Sequence, residues 1–306
     1  MRPHHFRPQP AASDDGFVVV AVLWLLGMLG MLVSIYAVYV IGTAASLSVH
    51  DERLQSDALI SAAVELTAGR LKTESRLKRD QFEFSLAQAN VAVSYRSEAA
   101  RIDLNTAPKQ LFAGLFKVLG ATRAASENYA DRVVGWRTSP PDGNDAEAAA
   151  YRSAHAGYVP RGAPFPHVHE LSLVLGLPSA LVERALPFVT VYSGRQKINV
   201  LDAAPEVLAA LPGVTLDRLN SVLAERQRRA DEQRLLSLLG PGAEFASVED
   251  SRASRITVDV SFNTGRRLTA EVVILPFEGG DAPYAVLSRE DLSDRASENS
   301  TLAGVR

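Results

Sequence analysis

The chain has 306 residues, with 32 Lys and Arg against 35 Asp and Glu and a formal net charge of −3, so it lacks the basic excess of a protein that coats nucleic acid. It has no cysteine, which excludes disulfides, thiol catalysis and cysteine-ligated zinc. Six His are present, and none stands in a His-Glu-x-x-His arrangement.

Residues 1–16 form a polar leader that carries Arg2, His4, His5 and Arg7 and ends in Gly16. From Phe17 until His50 no ionisable acid or base other than Tyr appears. Phe17 to Ile41 is about 25 residues; as a helix it reaches roughly 37 Å, enough to cross a hydrocarbon core of about 30 Å with some tilt. An ordinary signal peptide has an apolar core of only about 7–15 residues. A polar leader, a Gly-Phe junction and a long apolar helix together resemble a type IV prepilin-class signal. That resemblance implies cleavage between Gly16 and Phe17, with the helix kept as membrane anchor and assembly element. Two other readings of the run stand beside it: an uncleaved signal anchor, and cleavage at the small residues Gly42 to Ser46. Asp14 and Asp15 occupy the place where prepilin leaders usually carry a basic residue. The positive charges of the leader direct the N-terminus to the cytoplasm.

Residues 42–100 continue the helix and then turn to strands. Leu47, Leu54, Ala58, Ala62, Leu66 and Gly69 recur at helical spacing between charged residues, which predicts one uninterrupted amphipathic helix. Gln81 to Leu86 and Asn90 to Tyr95 alternate with period two and predict a β-hairpin with one buried face. The same alternation returns in residues 251–288, with strands at Arg255 to Phe262, Leu268 to Leu275 and Tyr284 to Leu287 around an Asn263-Thr264-Gly265 turn. These distant strands are expected to share one sheet packed on the helix. The polar tail, 289–306, is expected to be disordered.

Between the strand groups, residues 101–250 read as a helical insertion with an internal repeat over 101–136 and 197–239. Arg101 to Pro108 precedes one helix, and Lys197 to Pro205 precedes another. Thr106 and Asp202 are the expected N-caps, with Pro opening each helix. The first repeat is then expected to run through Gly120 into a helix ending at Trp136, and the second through Leu211 to Val214 into a helix over Leu216 to Leu239. Arg137 to Pro166, rich in Pro, Gly, Ala and acids, reads as a loop, and Glu170 to Gly176 as a short helix with a Gly stop.

The order of these parts resembles one family, the type II secretion system minor pseudopilins of the K type (general secretion pathway protein K). The resemblance rests on Gly16-Phe17 and its apolar helix, the Ile102 to Pro108 block, and Trp136 followed by an acidic loop and Tyr151. It rests further on Pro164-Phe165 leading to Glu170-Leu171 and Val174 to Gly176, on Pro187 to Thr190, and on the Ile198 to Pro205 block. It implies an α+β fold: a transmembrane helix, residues 17–41, continuing into a pilin-like α/β domain that is interrupted by a large all-α inserted domain of helix-hairpin-helix or SAM-like type. It implies a non-enzymatic subunit at the tip of a periplasmic pseudopilus, anchored in the inner membrane by a single pass with its body in the periplasm, which initiates or caps assembly and so supports protein export across the outer membrane. The implied partners are the I-type and J-type minor pseudopilins, the major pseudopilin, the prepilin peptidase and the inner-membrane secretion platform, with no nucleic acid. Processing would leave a methylated Phe17.

Cleavage after Gly16 would make Ala21 the fifth residue of the mature chain. Pilins and most pseudopilins carry Glu there, and its partner is the N-terminal amine of the subunit above. A carboxylate in the bilayer costs roughly 2.5–3.5 kcal/mol without a partner, so an apolar residue suits a subunit with nothing above it. Asp142, Asn144, Asp145 and Glu147 supply hard oxygen ligands at short spacing and form a candidate Ca²⁺ loop, as the family implies; a solvated acidic turn is the plainer reading. The competing function is a membrane-anchored helix-hairpin-helix DNA-binding protein of the competence or pilus type, carried by Leu211 to Thr215 and by Arg226, Arg228, Arg229 and Arg234, although Glu225, Asp231 and Glu232 offset that charge. His167 and His169 beside Glu170 read as an ordinary loop pair, with no third ligand indicated.

Overall fold

The computed structural model describes residues 15–73, 79–87, 89–139, 146–228, 231–277 and 282–292, and within the first helix the side chains of residues 19–39 and 53–73. The chain divides into two units, Met1–Ala58 and Leu59–Arg306.

The first helix, α1 (Asp15–Thr73), is the single long element its pattern predicts, and Gly69 does not interrupt it. Its last turns bury Leu59, Ile60, Ala63, Val64, Thr67 and Ala68, a stripe of helical period. This is not the expected stripe: Leu54 and Leu66 are exposed, as is Ala58, and Ala62 is half-buried. The row containing Leu59, Ile60 and Val64 is the one that meets the apolar face of the sheet, which removes its area from water. Thr67 is tolerated in the stripe because its hydroxyl donates to the carbonyl of Ala63 at 2.7 Å.

Strands β1 (Asp80–Leu86) and β2 (Ala89–Ser97) form the expected antiparallel hairpin. The chain then leaves the sheet for the helical insertion. Its first repeat contains β3 (Ile102–Asp103), α2 (Lys109–Val118), α3 (Arg123–Arg137), α4 (Ala146–Ser153), a 3₁₀ turn at Val168–Leu173, α5 (Ser179–Ala185) and β4 (Val189–Thr190). Its second contains β5 (Ile198–Asn199), α6 (Pro205–Ala209), α7 (Leu216–Gln227), α8 (Glu232–Leu238), a 3₁₀ segment at Gly240–Phe245 and β6 (Ala246–Ser247). Each repeat closes on a parallel pairing, Ile102 with Val189 and Ile198 with Ala246. Each unit therefore runs further than the 101–136 and 197–239 spans its sequence indicates, since the closing strand is part of it.

The two units share their internal ties. Asp103 Oδ1 accepts from the N–H groups of Asn105 and Thr106, and Asn199 Oδ1 accepts from that of Leu201. Near the end of the second helix, Arg137 donates to the carbonyl of Ala107 at 2.7 Å and Arg226 to that of Ala203 at 2.7 Å. Gly120 (φ +96°) and Gly213 (φ +74°) make the turns between the helices, each two residues before a Thr that caps the next one. The expected caps of the first helices are corrected: Pro108 and Ala204 hold those positions, without a side-chain cap bond. Thr106 instead donates to the carbonyl of Arg195, and Asp202 pairs with Arg79 at 2.9 Å. Two further corrections concern extent. The stretch from Arg137 to Pro166 contains α4, because Ala-rich sequence follows its Pro and Gly residues. The helix expected over Leu216 to Leu239 is divided into α7 and α8.

After the insertion come β7 (Ser254–Phe262), β8 (Arg267–Pro276) and β9 (Tyr284–Leu292), completing one antiparallel sheet in the order β1-β2-β7-β8-β9. Register places Val93 opposite Val258 and Val258 opposite Ala270, so one face is continuously apolar. That face and the Leu59–Ala68 stripe form one core; the helical insertion has a second of its own around Leu111, Phe112, Leu115 and Phe116. Residues 289–292 were expected to be disordered but continue β9, because Arg289 to Leu292 find ladder partners on β8 from Val272 back to Thr269. The rest of the tail lies outside the described residues.

Candidate functional site

The sequence motifs scattered over residues 102–190 meet in one place. Asn105 carries the reciprocal lock: its side-chain NH₂ donates to the carbonyl of Phe165 at 3.0 Å, and its Oδ1 accepts the Phe165 N–H at 2.6 Å. Phe165 stacks on Trp136 with ring centroids 6.1 Å apart, and Tyr151 packs on Trp136 at 5.9 Å. The Tyr151 hydroxyl accepts from the N–H of Leu175 at 2.7 Å, and burial pushes its pKa up to about 12. These aromatic and amide contacts fix the shape of the helical insertion.

The insertion joins the sheet through a buried ion network. Glu98, just after β2, is fully buried and accepts from the Arg255 guanidinium at 2.6 Å. It also accepts from the Thr190 hydroxyl, which belongs to the closing strand of the first repeat. Arg255 reaches Glu271 at 2.7 Å, and Arg101 approaches the same carboxylate at 3.7 Å. Burial by itself would lower Arg255, but Glu98 and Glu271 outweigh it and hold the guanidinium above its ordinary value. Arg101 is pushed down to about 10, chiefly by burial and then by Arg255. The sequence gives little sign of this network, since Arg255 and Glu271 fall on polar positions of alternating strands.

The exposed apolar surface is concentrated in α1. Val19–Tyr39 is 21 residues with a mean hydropathy of 2.3 and none of its side chains buried. At about 1.5 Å per residue this length matches a hydrocarbon core of about 30 Å. The Ser34 hydroxyl donates back to the carbonyl of Gly30 at 2.9 Å and so needs no water. Gly16 and Phe17 lie in the first turn of α1, in a part whose side chains are not described. Ala21 lies in the apolar segment two residues after its start.

Of the candidate calcium residues, Asp142, Asn144 and Asp145 lie outside the described residues. Glu147 is committed elsewhere: its Oε2 accepts from Arg132 at 2.8 Å, tying α4 to α3. Only its Oε1 is buried and without a hydrogen-bond partner. One carboxylate oxygen beside an arginine does not make the six to eight oxygens that Ca²⁺ takes, so the described residues do not assemble a calcium cage. His167 and His169 stack together, and the structure adds the acid the sequence reading did not find, Glu290 of β9.

The described arginines of the basic stretch in the second repeat have partners within the unit. Arg228 and Arg234 both pair with Glu225, at 3.3 and 2.7 Å, and Arg226 is turned to the carbonyl of Ala203. Arg229 lies outside the described residues. Thr215 Oγ1 already accepts the N–H of Arg218 at the start of α7, the kind of donor a phosphate would use.

A mixed α+β chain with one apolar N-terminal helix and an inserted pair of helical repeats is the class these features define. Residues 86–194 match the family described as type II secretion system, protein K. Over that stretch the chain is similar to protein K of the type II secretion system, as its motifs led us to expect. Among solved structures it is similar to a chain of the GspK-GspI-GspJ complex from the enterotoxigenic Escherichia coli type 2 secretion system. The identity is 20%, the TM-score 0.62, and the likeness covers 82% of this chain and 99% of that one. No curated protein sequence matches the chain.

Proposed function

We propose that this chain is a non-enzymatic minor pseudopilin of a type II secretion system, seated at the tip of the pseudopilus, where it initiates or caps assembly and supports export across the outer membrane. The protein K domain over residues 86–194 carries this reading. The similar solved chain belongs to a GspK-GspI-GspJ complex, and the partners proposed here are the I-type and J-type minor pseudopilins, followed by the major pseudopilin and the secretion platform. The apolar helix anchors the subunit in the inner membrane by one pass, with the N-terminus cytoplasmic and the body periplasmic. Prepilin peptidase removes residues 1–16, and Phe17 receives the methyl group.

Two physical points support a tip position. Ala21 supplies no carboxylate to the amine of a subunit above, so the helix has no charge that must find a partner. The inserted repeats add a bulky second core to the sheet domain, which obstructs stacking over the head. The internal pairing of Arg228 and Arg234 favours this reading over a DNA-binding one. The test is co-expression of the full chain with the I-type and J-type minor pseudopilins of the same system, followed by detergent purification through a tag on one partner. A stable ternary complex is expected; failure of this chain to co-purify while the other two associate would overturn the reading.

A further inference from the structure

His167, His169 and Glu290 each place one metal-ligating atom within 4.8 Å of the other two. The histidines flank the start of the 3₁₀ turn at Val168–Leu173; His167 is extended (φ −147°, ψ 147°), and this lets the two rings stack 4.8 Å apart with planes inclined by 12°. His167 Nδ1 accepts the His169 N–H and lies 3.0 Å from His169 Nδ1, so Nε2 is the nitrogen that His167 can offer a metal. Glu290 comes from β9, at the edge of the sheet, and its Oε1 lies 3.6 Å from His167 Nε2.

The sheet supplies a second reason to expect a cation here. Glu290 is paired in register with Glu271 on β8, and like charges directly opposite one another are destabilising. Glu271 is matched by Arg255 and Arg101. The ion-pair partner of Glu290 is His167, which is charged only when protonated. A divalent ion held by two neutral imidazoles and this carboxylate would supply the charge at neutral pH.

We propose that His167, His169 and Glu290 form a zinc site that staples the edge strand β9 to the helical insertion. Two nitrogens and one carboxylate oxygen suit Zn²⁺ in a cysteine-free chain, with solvent as the fourth ligand. Closure requires the two imidazole rings and the Glu290 carboxylate to turn toward one point, a change of rotamer for exposed side chains. The role is structural: β9 has a ladder partner on one side only, β8, and the metal ties its free side to residues in another core.

The experiment is zinc titration of the full chain in detergent by calorimetry, together with amide hydrogen exchange of residues 284–292. The wild type is expected to bind one equivalent that His167→Ala/His169→Ala removes, and zinc is expected to slow exchange in β9. Glu290→Gln, which preserves shape, is expected to weaken binding about tenfold or more without lowering the chelator-treated melting temperature, since it also removes the repulsion from Glu271. His4→Ala/His5→Ala, which removes the leader histidines, is expected to leave the site intact. Zinc binding that survives the His167/His169 double variant, that is lost only in the leader variant, or that leaves β9 exchange unaltered would overturn the proposal.

Discussion

Glu98 and Arg255 show how far a residue's role departs from what its neighbours in sequence announce. Arg255 sits where strand alternation assigns a polar, solvent-facing position and Glu98 in the turn just after β2, yet both are buried because the helical insertion covers that end of the sheet. Breaking such a pair by removing one partner typically costs about 3–5 kcal/mol, because the other charge stays buried. Arg255→Met is therefore expected to lower the unfolding free energy from urea titration by an amount in that range, and Arg255→Met with Glu98→Leu to recover part of the loss; equal free energies for wild type and single variant would contradict the role. Asp202 offers a test by pH. Burial raises its pKa above 3.8, with Arg79 pulling the other way. A carboxyl whose folded value is raised contributes its stability at low pH and loses it as pH rises through the folded value. The stability of the wild type relative to Asp202→Asn is thus expected to decline as pH rises from about 3.8, measured by urea midpoints at successive pH values.

At the level of elements, periodicity carried most of the information. The alternation at residues 81–95 and 255–287 set the sheet, and its register follows from keeping Val91, Val93, Ile256 and Val258 on one side. The repeated blocks at Ile102 and Ile198 located the insertion, because Asx turns and Pro-opened helices leave a local signature. What was not legible needed partners far away in the chain. The buried stripe of α1 could not be chosen among two apolar rows without the sheet, and the end of β9 could not be seen because its polar residues are held by the β8 ladder. The close packing of the repeats was equally silent. A Cβ on Gly114 of α2 would stand 1.9 Å from the carbonyl oxygen of Ala210, next to α6. Gly114→Ala is expected to cost about 1–3 kcal/mol or more by forcing the repeats apart. Gly69→Ala, where nothing lies within 4 Å on an exposed helix face, is expected to stabilise by about 0.5–1 kcal/mol. Thermal melts of the two variants should move in opposite directions; a neutral Gly114→Ala would contradict the contact.

For the whole molecule, the sequence said more about identity than about ion sites. The apolar run and the order of weak motifs pointed to protein K, and those motifs converge on the Trp136, Tyr151 and Phe165 cluster. Three of the four calcium-loop residues lie outside the described residues and the fourth, Glu147, pairs with Arg132, while the His pair gained an acid from a strand more than a hundred residues away. The central claim remains that Gly16 and Phe17 divide a removable leader from an assembly helix. Intact-mass measurement and N-terminal sequencing of the chain, purified from membranes of cells that contain the cognate prepilin peptidase, test it most directly. The account predicts a chain starting at a methylated Phe17; an intact Met1 terminus, or a start near Ala45, would contradict it.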